Sequence, residues 1–132
     1  MKIFVSYQQT WVSYKDLTEK LWKIRSIIWW LKHDNFIYFL DVNFKNQSAG
    51  EIILKAKQEI ESSDLVLAFV DYEQRSEGMM LELGVAYWWN KKILFIINNK
   101  FKENYFLSYW ITDNSLFFDD FSEIEWLLKN KL

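Results

Sequence analysis

The run Leu65-Val66-Leu67-Ala68-Phe69-Val70 is apolar at every position and stops at Asp71. A strand with one wet face alternates apolar and polar residues; a strand apolar throughout has both faces covered, as in a parallel sheet. Further strands read outward from it: Lys2–Ser6, Phe36–Leu40 ending at Asp41, Ile93–Ile97, and a short fifth at Leu116–Phe118. Between them the apolar period turns helical. From Trp11 to about Lys32 the positions Leu17, Leu21, Ile24, Ile28 and Leu31 recur at three-to-four spacing. Asn46 to Ser63 carries Ile52, Ala56 and Ile60 on one face, and a third helix surrounds Glu82. Ser122-Glu123-Ile124-Glu125 reads as a capping box opening a last helix.

Strands alternating with helices predict an α/β chain, a flavodoxin-like three-layer sandwich with a mostly parallel five-stranded sheet in the order 2-1-3-4-5. No repeat, linker or low-complexity segment interrupts the pattern, so residues 1–132 read as a single domain.

Composition narrows the function. A formal net charge of −2 gives no electrostatic case for nucleic acid. The absence of cysteine removes disulfides, thiol nucleophiles and Cys-based zinc sites, and His33 alone cannot build a multi-His cluster, so no metal or cofactor is expected. In Leu31-Lys32-His33-Asp34, His33 reads as a cation in the last turn of a helix. No stretch approaches eighteen apolar residues, and Met1-Lys2-Ile3-Phe4-Val5-Ser6 has no signal-peptide h-region; the expectation is a cytoplasmic protein without a membrane partner. Eight Trp exceed what one core holds. Trp29, Trp30, Trp88 and Trp89 therefore suggest a subunit interface and a homo-oligomer.

The chemistry centres on Glu82, the one charge within Gly78-Met79-Met80-Leu81-Glu82-Leu83-Gly84-Val85-Ala86-Tyr87-Trp88-Trp89. A carboxylate in apolar surroundings either has a partner or a chemical task. In such sheets ligands bind beyond the carboxyl ends of the strands, at the switch between the first and third. That delivers Ser6, Tyr7 and Gln8, with Asp71 and Tyr72, and Asp41 nearby. Ser76, Gly78 and Met79 open the Glu82 helix, where backbone N–H groups suit an anion. One semi-buried carboxylate beside hydroxyls and amides fits chemistry at a sugar carbon: Glu82 attacks or stabilises an oxocarbenium-like centre, and Asp71 or Asp41 protonates the departing base. Taken singly, Ser76 reads as a helix N-cap, Asp71 and Asp41 as strand-end turn residues, Gly84 as a helix–sheet packing glycine and Met79-Met80 as core.

The stretch Ser76-Glu77-Gly78-Met79-Met80-Leu81-Glu82-Leu83-Gly84-Val85-Ala86, followed by Lys91-Lys92-Ile93-Leu94-Phe95-Ile96, resembles the nucleoside 2-deoxyribosyltransferase-like superfamily, which includes nucleotide N-glycosidases. Ser63-Asp64-Leu65-Val66-Leu67-Ala68-Phe69 is similar to the strand that precedes their catalytic loop. The resemblance implies that Glu82 is the nucleophile. It also implies that Ser76, at a position typically acidic in the nucleoside transferases, contacts phosphate as in the nucleotide-cleaving members. Departures are Met80 in place of a second Gly, Ala56 where transferases commonly carry Asp, and a first loop (Ser6 to Thr10) without Gly; they weigh against transfer between nucleosides more than against bond cleavage. Members often complete the site with a neighbouring subunit. A second resemblance is to TIR domains, through Lys2-Ile3-Phe4-Val5-Ser6-Tyr7 and the Ser76-to-Glu82 spacing, although Gly78-Met79 replace their usual Trp-Cys pair. It implies cleavage of NAD to an ADP-ribose-type signal in phage defence. A non-catalytic nucleotide-binding module is the remaining reading. The leading expectation is an enzyme acting on the N-glycosidic bond of a nucleoside or nucleotide.

Overall fold

The computed structural model of the chain describes residues 1–9, 12–43, 45–105 and 114–132, with Asn114 described through its backbone alone. Its strands are β1 (Lys2–Tyr7), β2 (Asp34–Phe36), β3 (Leu65–Val70), β4 (Lys92–Asn98) and β5 (Asn114–Phe118). They form one sheet in the order β2-β1-β3-β4-β5, and every neighbouring pair is parallel. The helices are α1 (Tyr14–Trp30), α2 (Tyr38–Asp41), α3 (Ala49–Glu61), α4 (Glu77–Trp88) and α5 (Ile124–Lys131). Short 3-10 segments, Asn99–Tyr105 and Phe121–Glu123, follow β4 and precede α5.

Alternation along the strands sorts the core into two layers. Ile3, Val5, Leu65, Leu67, Phe69, Leu94 and Ile96 pack with Leu17, Leu21, Ile24 and Ile28 of α1 and with Ile124 and Leu128 of α5. On the other face Phe4, Val66, Ala68, Val70, Phe95 and Ile97 pack with Ala56 and Ile60 of α3 and Met79, Leu83 and Ala86 of α4. Reversal of winding direction between β1 and β3 puts α1 and α3 on opposite faces and opens a crevice at the strand ends between them.

Four local expectations change. The second strand is shorter and earlier: after β2, Ile37 is wholly buried and residues 38–41 turn helical, with Asp41 Oδ2 accepting the Ile37 N–H at 2.8 Å. Its apolar run reflects burial in a turn, not strand pairing. The capping box closes on the 3-10 turn Phe121–Glu123, where Asp120 accepts the Ser122 N–H and Glu123 accepts the N–H groups of Asp119 and Asp120, while α5 starts at Ile124 without a side-chain cap. The start expected at Trp11 lies outside the described residues, and Ser13 caps α1 by accepting the Asp16 N–H at 3.4 Å. His33 stands just beyond α1, its Nδ1 3.2 Å from the Met1 amino group.

Candidate active site

Glu82 lies between the first and second turns of α4, and a small residue on β1 lets it reach the sheet. Ser6 follows Phe4 on the face that α4 covers and pairs in register with Ala68 of β3. Ser6 is wholly buried, and its Oγ donates to Glu82 Oε1 at 2.7 Å. Burial raises Glu82 to a pKa of about 7, against the opposing pull of the Ser6 hydroxyl.

The carboxyl lines a cleft of about 120 Å³ together with Tyr7, Gln9, Tyr38, Ile52, Ser76, Gly78 and Met79. Tyr7 ends β1, its ring edge-on to Phe39 of α2 at 6.2 Å between centroids. Burial and then the Glu82 carboxylate push the Tyr7 hydroxyl far above its ordinary range. Tyr38 opens α2 and donates through its hydroxyl to Gln47 at 2.7 Å. Ser76 caps α4 by accepting the Met79 N–H at 3.3 Å, so that N–H is committed within the protein. Met79 is 1% exposed and belongs to the core as much as to the cleft, while Gly78 sits at the mouth.

Three expected site residues do other work. Gln8 is fully buried: its Nε2 donates to the carbonyls of Tyr72 and Gln74 and to the Tyr105 hydroxyl, each at 2.8 Å. Its Oε1 accepts the N–H groups of Asp71 and Tyr72 at 3.0 Å. It clamps the β3–α4 loop and presents no group to a substrate. Asp71 continues the alternation of Leu67 and Phe69 onto the α1 face, where Oδ2 meets Lys20 Nζ at 2.5 Å and Oδ1 accepts from Asn98 at 2.8 Å. It is thus across the sheet from Glu82, and the expected acid pairing of the two is corrected. Asp41 is likewise taken up, ion-paired with the buried Arg25 and capping its own turn. Gly84, expected against the sheet, faces outward with nothing within 4 Å of the place a Cβ would occupy, because Leu83 and Ala86 take the inward positions. Lys91 donates to the Glu61 carbonyl at 2.7 Å, holding the end of α3 rather than the cleft.

Tyr38, Gln9 and Ile52 are cleft residues that the sequence reading did not assign. Tyr38 was hidden in an apparent strand and Ile52 in an apparent core stripe; Gln9 adjoins the first-loop residues and carried the one available signal. Thr10, in the same loop, lies outside the described residues. Among the described residues, no three His, Cys, Asp or Glu side chains converge as metal ligands, and no helix is long and apolar enough to cross a membrane.

No family model matches the sequence, and no curated protein matches it. Solved structures do. The CMP N-glycosidase of Clostridium botulinum superposes with a TM-score of 0.77 at 15% identity, over 100% of both chains. A conserved protein of Enterococcus faecalis V583 gives 0.72 at 16% identity, over 100% of this chain and 99% of that one. The 2-deoxyribosyltransferase of Bacillus psychrosaccharolyticus gives 0.63 at 19% identity, over 95% and 90%. These likenesses show a nucleoside 2-deoxyribosyltransferase-like α/β fold.

Proposed function

We propose that this chain, with its nucleoside 2-deoxyribosyltransferase-like fold, breaks the N-glycosidic bond of a nucleoside or nucleotide, with Glu82 as nucleophile. The observation that carries the reading is one half-buried carboxyl, poised near neutrality, on the wall of a cleft at the β1/β3 switch point. Two of the structural neighbours are a CMP N-glycosidase and a 2-deoxyribosyltransferase, which supports it.

A lone pair of the ionised Glu82 forms a C–O bond to the anomeric carbon as the C–N bond breaks. The bonding pair leaves with the base, which takes a proton from solvent. Water or a second base then attacks the same carbon, giving up a proton to solvent as the Glu82 carboxylate departs. Tyr7 and Tyr38 offer aromatic walls to sugar and base, and Ser76 with Gly78 stands where a 5′-phosphate would lie. Purified protein incubated with nucleosides, deoxynucleoside monophosphates, CMP and NAD, with Glu82→Gln as the blank, tests the reading by chromatography and mass spectrometry. Free base released from nucleosides or monophosphates by the parent alone is the expected result. Nicotinamide from NAD would move the chain to the TIR-like reaction, and no product from any substrate would leave a binding module.

The working unit in this reading is a homo-oligomer. A helix apolar all round belongs inside a structure. Yet α4 leaves Leu81, Tyr87 and Trp88 exposed at 48%, 58% and 83%, and the exposed Ile53 of α3 lines a small cavity with Leu81. A second copy covers that face.

A further inference from the structure

We infer that Ser6 is a positioning residue for Glu82: its hydroxyl fixes one carboxylate oxygen and sets the pH at which the carboxyl ionises. Ser6 is a polar residue in the interior of a buried strand, flanked by Val5 and Tyr7 and paired with Ala68. A hydroxyl in such a place costs stability unless it is hydrogen-bonded. Its one proton goes to Glu82 Oε1 at 2.7 Å, so it is not offered to a substrate. The bond uses Oε1 and leaves Oε2 as the attacking oxygen.

The size of residue 6 matters as well as its chemistry. Its neighbours on this face of the sheet are Phe4 on β1 and Val66, Ala68 and Val70 on β3. Ser6 and Ala68 form a shallow place among them, and the Glu82 side chain descends into it from α4. A long or aromatic residue at 6 would fill that place; threonine adds a single methyl beside the hydroxyl, and alanine keeps the room and removes the donor.

The groups facing Glu82 from the elements around it are Tyr7 of β1, Tyr38 of α2 and, across the adjoining small cavity, Lys57 of α3. Tyr7 and Tyr38 both titrate above their ordinary values. Neither loses its proton near neutrality, and Lys57 is exposed and turned over the Trp89 ring. A titration near neutrality within the cleft therefore reports Glu82.

A donor to the ionised form favours that form, so removing it raises the midpoint. The effect on turnover rests on the nucleophile assignment above; the effect on titration does not. Protein carrying 13C at glutamate Cδ is titrated by NMR, the Glu82 signal being assigned by its loss in Glu82→Gln. In Ser6→Ala the midpoint should rise by about one pH unit or more, the size expected for one charge-assisted hydrogen bond. Ser6→Thr, which keeps the hydroxyl, should return it toward the parent value. Turnover of whichever nucleotide or nucleoside the parent cleaves should fall about fivefold or more near pH 7 in Ser6→Ala and recover near pH 9. An unmoved Glu82 midpoint in folded Ser6→Ala overturns the inference, as does a Ser6→Thr midpoint as high as that of the alanine variant. If the parent cleaves nothing, the proposed function fails while the titration still decides the role of Ser6.

Discussion

Asp71 and Glu82 belong to one strand–loop–helix unit yet work on opposite faces of the sheet. Asp71 closes β3 toward α1, held by Lys20 at 2.5 Å and Asn98 at 2.8 Å, whereas Glu82 returns over the other face to meet Ser6. Burial alone would lower the Lys20 pKa, but its bonds to Asp71 and Asp16 outweigh that and raise it. Asp71→Asn keeps an acceptor for Asn98 and removes the charge opposite Lys20, leaving Asp16 as its counter-ion at 3.0 Å. The expected cost is about 1–3 kcal/mol in urea unfolding, with kcat/KM changed by no more than about threefold. A loss of activity a hundred times larger, at unchanged stability, would return Asp71 to the chemistry.

In the proposed reaction, Glu82 ties activity to stability with opposite signs. Its folded-state pKa is raised to about 7 from an ordinary value of 4.5. The folded chain thus binds this proton more tightly than the unfolded chain. The stabilisation is complete below pH 4.5, drains away between 4.5 and 7, and stays lost above. Glu82→Gln is neutral throughout and escapes the loss. Its stability should match the parent near pH 4 and exceed it by up to about 3 kcal/mol near pH 8, read from urea midpoints. Catalysis runs the other way. Parent turnover should climb with pH to a plateau above about 7, and the variant should have none.

The parts of the fold written in runs of apolar residues could be read from the sequence. Leu65–Val70 is a strand at the expected residues, and the Leu17, Leu21, Ile24, Ile28 stripe does face the sheet. Glu82 stood out because a charge among apolar neighbours is visible locally. Partners distant in sequence were not visible. Whether Gln8 serves a ligand or a loop depends on carbonyls more than sixty residues away, and whether Asp41 is available depends on Arg25. The apparent strand from Phe36 to Leu40 failed for a related reason. Burial of Ile37 and Tyr38 produces an apolar run in a helical turn as readily as in a strand.

Gln8 holds the loop that aims α4. Replacing it with leucine removes the partner of the buried Asp71 N–H, of the half-buried Tyr72 N–H and of the carbonyls of Tyr72 and Gln74. Gln8→Leu should cost about 2–4 kcal/mol. Hydrogen exchange at the Asp71 and Tyr72 amides should quicken far more than exchange in β1 or β3. Equal protection in both proteins would show that the loop needs no clamp.

Ser76 offers a way to read the charge of the substrate. Aspartate caps a helix as well as serine does, so Ser76→Asp keeps the bond to the Met79 N–H and the start of α4. It also adds a negative charge to the cleft near Gly78. Against a substrate with a 5′-phosphate the variant should lose about tenfold or more in kcat/KM, mostly through KM; against the matching nucleoside it should lose little. Equal losses on both would mean that no phosphate lies beside Ser76.

The outward face of α4 makes a prediction about assembly. A groove of about 460 Å³ runs along Met80, Leu81, Gly84, Val85, Trp88 and Trp89, with the bare Gly84 as its floor. Inward positions of the same helix are filled by Met79, Leu83 and Ala86, with Met80 and Val85 packed at the core's margin, so Leu81, Tyr87 and Trp88 are left outside it. Contiguous apolar surface of this kind marks an interface, and a two-fold contact lets one patch serve both copies. Light scattering should give a multiple of 16.2 kDa that falls toward one chain on dilution. Trp88→Glu places a charge where exposure is 83% and should bring the mass to 16.2 kDa while leaving the helical circular dichroism intact. A parent mass of one chain at every concentration would rule the assembly out and leave α4 to some other partner.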